Sequence, residues 1–410
     1  MKKKILKIFF IMLILCSCSN EVEINDSLAL NEQTLEQLQL ETMAVEEKYK
    51  PVNFEKQKAL WFTMEDFRKA VSGKSEEEFT DDISEILTKI KDTGFNTLYL
   101  HVRPYNDAYY KSEIFPLSQA LSSEFDPLEI ILEKAHNLNL SVHAWINPLR
   151  CQTTDDMENP DEKYQIKQWY DSDMREEFIA EVNGRWYLNP AYEEVQQYIA
   201  DGISELVQNY DIDGIHIDDY FYPTQDEDFD KTAFEKSGAT DLSYWRTENI
   251  NHMVQTIYDT VKEENENILF GISPQGNIEI NQSSLYADVL TWCSQSGYCD
   301  YIVPQLYYGF KNESKPFKET LNEWKNLVTE ESLSLVIGIC TYKIGSEDEW
   351  AGTGKNEWIE DKNIPSRQVE YVLENDCSVA VYSMESLFDE KNSDEHKLIS
   401  ELLGDENNEE

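Results

Sequence analysis

Between about residue 56 and residue 390 the chain alternates two hydrophobic patterns. Eight short apolar, β-rich runs recur at fairly regular intervals: Ala59–Met64, Thr97–Val102, Ser141–Asn147, Gly214–Asp218, Leu269–Pro274, Tyr301–Tyr307, Leu335–Cys340 and Val379–Met384. Most are separated by longer stretches in which apolar residues recur three and four positions apart. The clearest lies between the first two runs, where Ser75 and Glu78 stand at capping-box spacing and Phe79, Ile83, Ile86, Leu87 and Ile90 follow at helical spacing. Strands alternating with helices build βα units on a parallel sheet, and eight units fit a closed (β/α)8 TIM-type barrel over residues 56–390. A doubly wound open sheet is the alternative, but no Gly-rich nucleotide loop follows the first strand.

The flanks lack this alternation. Lys2–Lys4 followed by the apolar run Ile5–Leu15 has the form of a secretory signal, too short to span a bilayer. Leu15-Cys16-Ser17-Cys18 resembles a bacterial lipobox, with the small Ser17 before Cys18, so residues 1–18 are expected to be a lipoprotein signal and Cys18 the lipidated residue. An ordinary cleaved signal is the plainer alternative. Residues 19–55 are polar and acidic and are expected to tether the barrel to the anchor; residues 391–410 are expected to be an acidic tail.

Charge narrows the partners. With 80 acidic against 35 basic residues the net charge is −45, and nucleic acid is excluded because phosphate binding calls for a basic surface. Past the lipobox five cysteines remain: Cys151, Cys293, Cys299, Cys340 and Cys377. An odd number without a CxxC pair argues against a disulfide framework and against thiolate-bound zinc, although a Cys293–Cys299 bridge is conceivable.

The chemistry gathers at the strand ends, where a barrel of this kind carries its active site. Residues 213–223 read D-G-I-H-I-D-D-Y-F-Y-P, an apolar strand running into two adjacent carboxylates and a group of aromatic rings. Strand alternation puts Gly214, His216 and Asp218 on one face and Ile215 and Ile217 on the other, so Asp218 points into the barrel mouth with Asp219 at its rim. Asp219 could instead only cap the following turn. Paired acids beside flat aromatic faces suit glycosidic cleavage, in which one acid holds a proton and the other stays ionised. Asp218 and Asp219 are therefore the expected catalytic pair, with a further acid available from Glu65, Asp66, Asp107 or Glu385. The expected substrate-binding set is Arg103, Asp107, His143, Trp145, Asn147, His216, Tyr220, Gln275, Gln305 and Tyr307. Trp186 and Tyr187, in the loop-like run N-G-R-W-Y-L-N-P, are candidates for sugar stacking. His101, His143 and His216 could ligate a metal with Asp218, but none shows the close spacing of a ligand pair, and they read better as hydrogen-bonded residues that orient the acids. No metal or other cofactor is expected.

Several long motifs in one order, G-F-N-T-L-Y-L-H-V-R-P-Y-N-D-A-Y-Y, H-A-W-I-N-P-L-R, D-G-I-H-I-D-D-Y-F-Y-P, F-G-I-S-P-Q-G-N, D-Y-I-V-P-Q-L-Y-Y-G-F and A-G-T-G-K-N-E-W-I-E, resemble the glycosyl-hydrolase-like family 10 proteins of bacteria, many of them lipoproteins. The resemblance runs from about Ala59 to Phe388. It implies a TIM-type barrel and glycoside hydrolysis outside the cytoplasm, with peptidoglycan glycan strands as the substrate class. Asp107, Asn147, Asp218, Asp219 and Gln305 match the family pattern. His101 stands where the family usually has Gln, Asn106 where it has Gly, Leu149 where it has Tyr, and Asn189–Ala191 reads N-P-A instead of N-P-G.

These readings converge on an extracytoplasmic, lipid-anchored glycoside hydrolase of amino-sugar glycans. Cleavage would use carboxylate acid/base chemistry, with or without help from the substrate's own acetamido oxygen, which Tyr307 could hold. A metal-dependent polysaccharide deacetylase and a glycan-binding lipoprotein without turnover are the alternatives. A local basic patch from Arg103, Arg150 and Lys343, if they converge, could offset the negative field for a carboxylate-bearing glycan.

Overall fold

The computed structural model describes residues 49–121 and 124–404. The expected signal, Cys18 and nearly all of the expected tether lie outside the described residues. Eleven strands occur among those described: β1 Lys58–Phe62, β2 Thr97–Arg103, β3 Ser141–Ile146, β4 Arg150–Thr153, β5 Ile179–Val182, β6 Arg185–Leu188, β7 Gly214–Ile217, β8 Leu269–Ile272, β9 Tyr301–Ile302, β10 Ser334–Cys340 and β11 Ser378–Tyr382. Eight of them close a parallel barrel in the order β1-β2-β3-β7-β8-β9-β10-β11, and β4, β5 and β6 form a separate antiparallel sheet inserted between β3 and β7. The barrel is the expected (β/α)8 architecture, with its strands on the expected runs. The run at Tyr301–Tyr307 is shorter as a strand than expected, because Pro304 has no N–H to offer a ladder.

The helix after Ser75 starts where its capping box signals. Ser75 Oγ accepts from the Glu78 N–H, and the Glu78 carboxylate accepts from the Ser75 N–H. Its apolar stripe, Phe79, Ile83, Leu87 and Ile90, is buried against the barrel. Each such side chain stabilises the fold by roughly 1.5–3 kcal/mol.

Inside the barrel the layers are aromatic instead of aliphatic. Trp61, Tyr99, Trp145 and Tyr301 pack with Ala59, Val303, Val336 and Ala380. Two glycines make room: a Cβ on Gly214 would lie 2.5 Å from His143 Nδ1, and one on Gly271 would lie 1.9 Å from the Tyr301 ring. One directed hydrogen-bond chain threads this layer. Trp61 Nε1 donates to His216 Nε2 at 3.3 Å, so His216 carries its proton on Nδ1 and donates to the Tyr301 hydroxyl at 3.1 Å. Tyr301 in turn donates to His143 Nδ1 at 2.6 Å, and His143 Nε2 donates to Ser141 Oγ at 3.1 Å. Burial holds both imidazoles below their ordinary range, His143 at about 4, so they are neutral supports.

Both expected boundaries move. At the N-terminal side the Val52 N–H donates to Asp213 Oδ1 at 2.6 Å, so the barrel unit begins by residue 50 and not at 56. At the C-terminal side the expected acidic tail contains a helix, Ser393–Leu403, with Ile399 and Leu403 buried. Its last turn sits so close to Gly94 that a Cβ there would come within 2.7 Å of the Leu403 backbone, and Lys58 Nζ donates to the Leu403 carbonyl at 2.9 Å. Asp394 and Glu401 face outward, while Glu395 is buried and accepts from the Ser366 N–H at 2.6 Å, and these acids hid the apolar stripe. All five described cysteines are buried and unpaired, so Cys293 and Cys299 are not bridged.

Candidate active site

A cavity of about 600 Å3 opens at the C-terminal ends of the barrel strands. Asp218, one residue past β7, is 5% exposed at its floor. Both carboxylate oxygens are held: Asn147 Nδ2 donates to Oδ1 at 2.5 Å, and Trp145 Nε1 donates to Oδ2 at 3.1 Å. Asn147 itself accepts from His101 Nε2 at 3.1 Å, and the His101 ring stacks on Trp145 at 3.6 Å. The end of β3 thus clamps Asp218 from one side. Asp219, half-buried at the rim, turns the other way. Gln275 Nε2 donates to its Oδ2 at 3.0 Å and Gln305 Nε2 to its Oδ1 at 3.1 Å, so the amides past β8 and β9 hold it. Asp219 is therefore part of the mouth and not merely a cap.

The two acids are tuned as a pair. Burial, and next the charge of Asp219, push Asp218 up to about 7 against the pull of Asn147. Asp219 is also raised by burial, opposed by Gln275 and Gln305, whose N–H groups favour its ionised form. Both carboxyls are thus held above the ordinary carboxylate range, and Asp218 has the like charge of its neighbour as a second cause.

The walls are aromatic: Trp61, Trp145, Tyr220, Tyr307, Tyr342 and Tyr382 all line the cavity. Tyr220 and Tyr342 are the exposed ones, at 44% and 49%, and present open faces for a sugar ring. Glu65 and Glu385 line the same cavity but are ion-paired, Glu65 with Arg68 at 2.7 Å and Glu385 with Lys69 at 2.5 Å. Among the described residues no group of three or more His, Cys, Asp or Glu is arranged to hold a metal ion.

The sequence profile described as glycosyl hydrolase-like 10 matches residues 57–352. The chain belongs to that family. It is similar to the glycosyl hydrolase YngK of Bacillus subtilis (strain 168), 29% identical over 327 residues that make up 73% of this chain and 63% of YngK. It is also similar to the glycosyl hydrolase DigH of Escherichia coli (strain K12), 28% identical over 300 residues, 65% of this chain and 68% of DigH. The chain therefore spans less than two thirds of YngK's length. Among solved structures, the glycoside hydrolase domain of PgaB (BpsB) from Bordetella bronchiseptica aligns with a TM-score of 0.55 and 10% identity, covering 84% of this chain and 98% of that domain. An α-amylase from Lactobacillus plantarum aligns at 0.52 with 12% identity, covering 85% and 79%. At these identities the two structures show a shared barrel and nothing more.

Of the expected residues, Asp218, Asp219, Trp145, Tyr220, Gln305 and Tyr307 line the cavity, while Asn147 and Gln275 stand behind it and hold the acids. Four do not reach it. His143 and His216 lie in the layer below, on the Tyr301 hydroxyl, because they sit on inward positions too early in β3 and β7. Arg103 is displaced by a bulge between His101 and Arg103, which pairs it with Ile146 and turns it outward beneath the Phe115 ring, 4.4 Å away. Asp107 braces its own loop, accepting from the Tyr105 N–H at 3.1 Å. Asp66, an alternative acid, caps its own helix through Thr63, with burial raising it to about 6. Trp186 and Tyr187 belong to β6, and Trp186 lines a separate groove with Asp226 and Phe229. Lys343 pairs with Asp348 at 2.8 Å, so the expected basic patch does not converge. Trp61 and Tyr382, at the ends of β1 and β11, were not anticipated. Their runs read as ordinary core, and only closure of the barrel brings both ends to one mouth.

Proposed function

We propose that this protein hydrolyses glycosidic bonds in amino-sugar glycans, with peptidoglycan glycan strands as the substrate. The observation that carries the reading is the adjacent pair Asp218 and Asp219, both raised by burial and held by different donors, in an aromatic-walled cavity at the C-terminal mouth of the barrel. Asp218 gives its proton to the leaving glycosidic oxygen. Asp219, whose ionised form two amides favour, accepts a hydrogen bond from the acetamido N–H and aligns the acetamido oxygen for attack on the anomeric carbon. Tyr307 donates to that oxygen. Water then opens the cyclic intermediate as Asp218 takes a proton back, so the enzyme returns to its starting state. The neutral imidazoles and the Asn147 amide serve as positioning groups.

Secretion and a lipid anchor through Cys18 belong to the same proposal and rest on the basic start, apolar run and lipobox-like residues. No described helix is long and apolar enough to cross a membrane.

The test is mass spectrometry of glycan strands, with and without stem peptides, after incubation with the chain from residue 50, beside Asp218→Asn. New reducing ends with the native protein alone support hydrolysis, and the terminal sugar names the bond. Intact strands in both samples overturn the substrate assignment. Loss of acetyl mass without cleavage points to deacetylation.

A further inference from the structure

Arg150 opens β4, immediately after the loop that follows β3, and is the one lysine or arginine lining the carboxylate cavity. Its guanidinium lies between two aromatic faces, 3.8 Å from the Tyr220 ring centre and 4.7 Å from that of Tyr105. Tyr105 is backed in turn by Arg185 at 4.1 Å, and Arg185 is anchored to the Cys151 carbonyl. Stacking fixes the plane of the Arg150 fork and leaves its edge as the reactive side. Among the described residues the Arg150 side chain makes no salt bridge and no hydrogen bond, and its buried Nε–H has no partner in the protein. The other cations near the mouth are spent on protein groups: Arg68 on Glu65, Lys69 on Glu385 and Lys343 on Asp348.

We propose that Arg150 is a recognition subsite for a sugar carboxylate, which it takes on the free edge of its stacked guanidinium. A planar, five-donor fork matches a carboxylate bidentately, and no other described lining residue offers an anion such a place. Arg150 is the one lysine or arginine in a lining that also carries Glu65, Asp218, Asp219 and Glu385, so it fixes the register of an acidic glycan over the catalytic pair. The inference rests on the hydrolase reading above and deepens it. The carboxylate is the lactyl ether of a muramic residue or the C6 group of a uronic acid.

The test compares native protein, Arg150→Gln and Arg150→Lys on three glycans: peptide-free strands with free lactyl carboxyls, the same strands with those carboxyls reduced to alcohols, and a uronate-containing amino-sugar oligosaccharide. Arg150→Gln should lower kcat/KM on the free-carboxyl strands by about 10- to 100-fold more than on the reduced strands. Arg150→Lys should recover part of that difference, because it keeps the charge and loses the fork. Selective loss on the uronate alone would transfer the subsite to that source. An equal loss on all three would overturn the proposal and leave Arg150 as a countercharge for Asp218 and Asp219. Calorimetric binding of a muramic-acid fragment to native protein and to Arg150→Gln needs no turnover. If no glycan is cleaved, weaker binding to the variant keeps the subsite while the hydrolase reading falls, and equal binding removes both.

Discussion

Replacing Asn147 by leucine removes the donor that holds Asp218 in its ionised form without opening space for water. The amide is fully buried and donates to Asp218 Oδ1 at 2.5 Å. A hydrogen bond to a charged group is worth about 1.5–3 kcal/mol, and each pKa unit is about 1.4 kcal/mol, so Asp218 should rise by about 1–2 units. It starts at about 7, which puts the variant at roughly 8–9. If Asp218 is the proton donor, activity is lost as pH rises through that value, so the alkaline limb of the kcat/KM profile should move up by about 1–2 units while the peak rate falls. Stability supplies an independent check. A carboxyl raised from 3.8 to about 7 contributes stability in full below 3.8, and that contribution is lost as pH rises through 7. In the variant the loss extends higher, so by urea unfolding its deficit relative to native protein should be about 1.5–3 kcal/mol larger at pH 10 than at pH 5. The loss of the His101 Nε2 acceptor is the same at both pH values and cancels in that difference. A limb that stays at about 7 would falsify the coupling. An acidic limb that moves in its place would make Asp218 the group that works ionised.

The double variant Gln275→Leu and Gln305→Leu strips Asp219 of its side-chain donors, so Asp219 should rise further and kcat should fall by about 10- to 100-fold in steady-state assays. Burial lowers His101 to about 3 and His143 to about 4 from 6.5, so the stability they contribute is present above pH 6.5 and lost as pH falls through those values. Between pH 6.5 and 4 the change in urea midpoint should therefore be less favourable in the native protein than in His143→Gln, which lacks one of these losses. Leu403→Ala should cost about 2–5 kcal/mol in urea unfolding, since the side chain is buried; a loss under about 0.5 kcal/mol would mean the helix contributes little. For the chain from residue 50, the thermal midpoint should not move when reductant is added, because the five described cysteines are unpaired.

The barrel could be read from the chain because each level of the sequence agrees with the others. Ile215 and Ile217 pack outward with the helices, as period-two alternation requires, and the Ser75–Glu78 box starts its helix on schedule. Where the expectation failed, a feature without a period intervened. The bulge in β2 adds one residue and reverses the side chain of Arg103, which alternation alone had aimed inward. The helix at Ser393–Leu403 buries only a narrow stripe that includes an acid, Glu395 with Ile399 and Leu403, so the acidic composition of the segment outweighs its pattern.

In the site, face was legible and height was not. Alternation identifies His143, Trp145, His216 and Asp218 as inward, but reaching the mouth requires being late in a strand, and strand stagger is set by partners remote in sequence. The register pairs His143 with Gly214 and Trp145 with His216, which puts His143 a full layer below Trp145 and leaves Asn147 level with Asp218, while Trp145 reaches Asp218 through its indole Nε1. The same geometry separates two identical neighbours. Successive residues leaving a strand point to opposite sides, so Asp218 falls to the donors past β3, and Asp219 to the amides past β8 and β9. Asp218 is left nearly dry beside a like charge, which raises it to about 7; Asp219 keeps two amide donors and part of its exposure. A D-D pair in a sequence is symmetric. Placed at the end of one strand between two unlike neighbours, its carboxyls become unequal, which is the difference that the proposed split between proton donor and ionised partner needs.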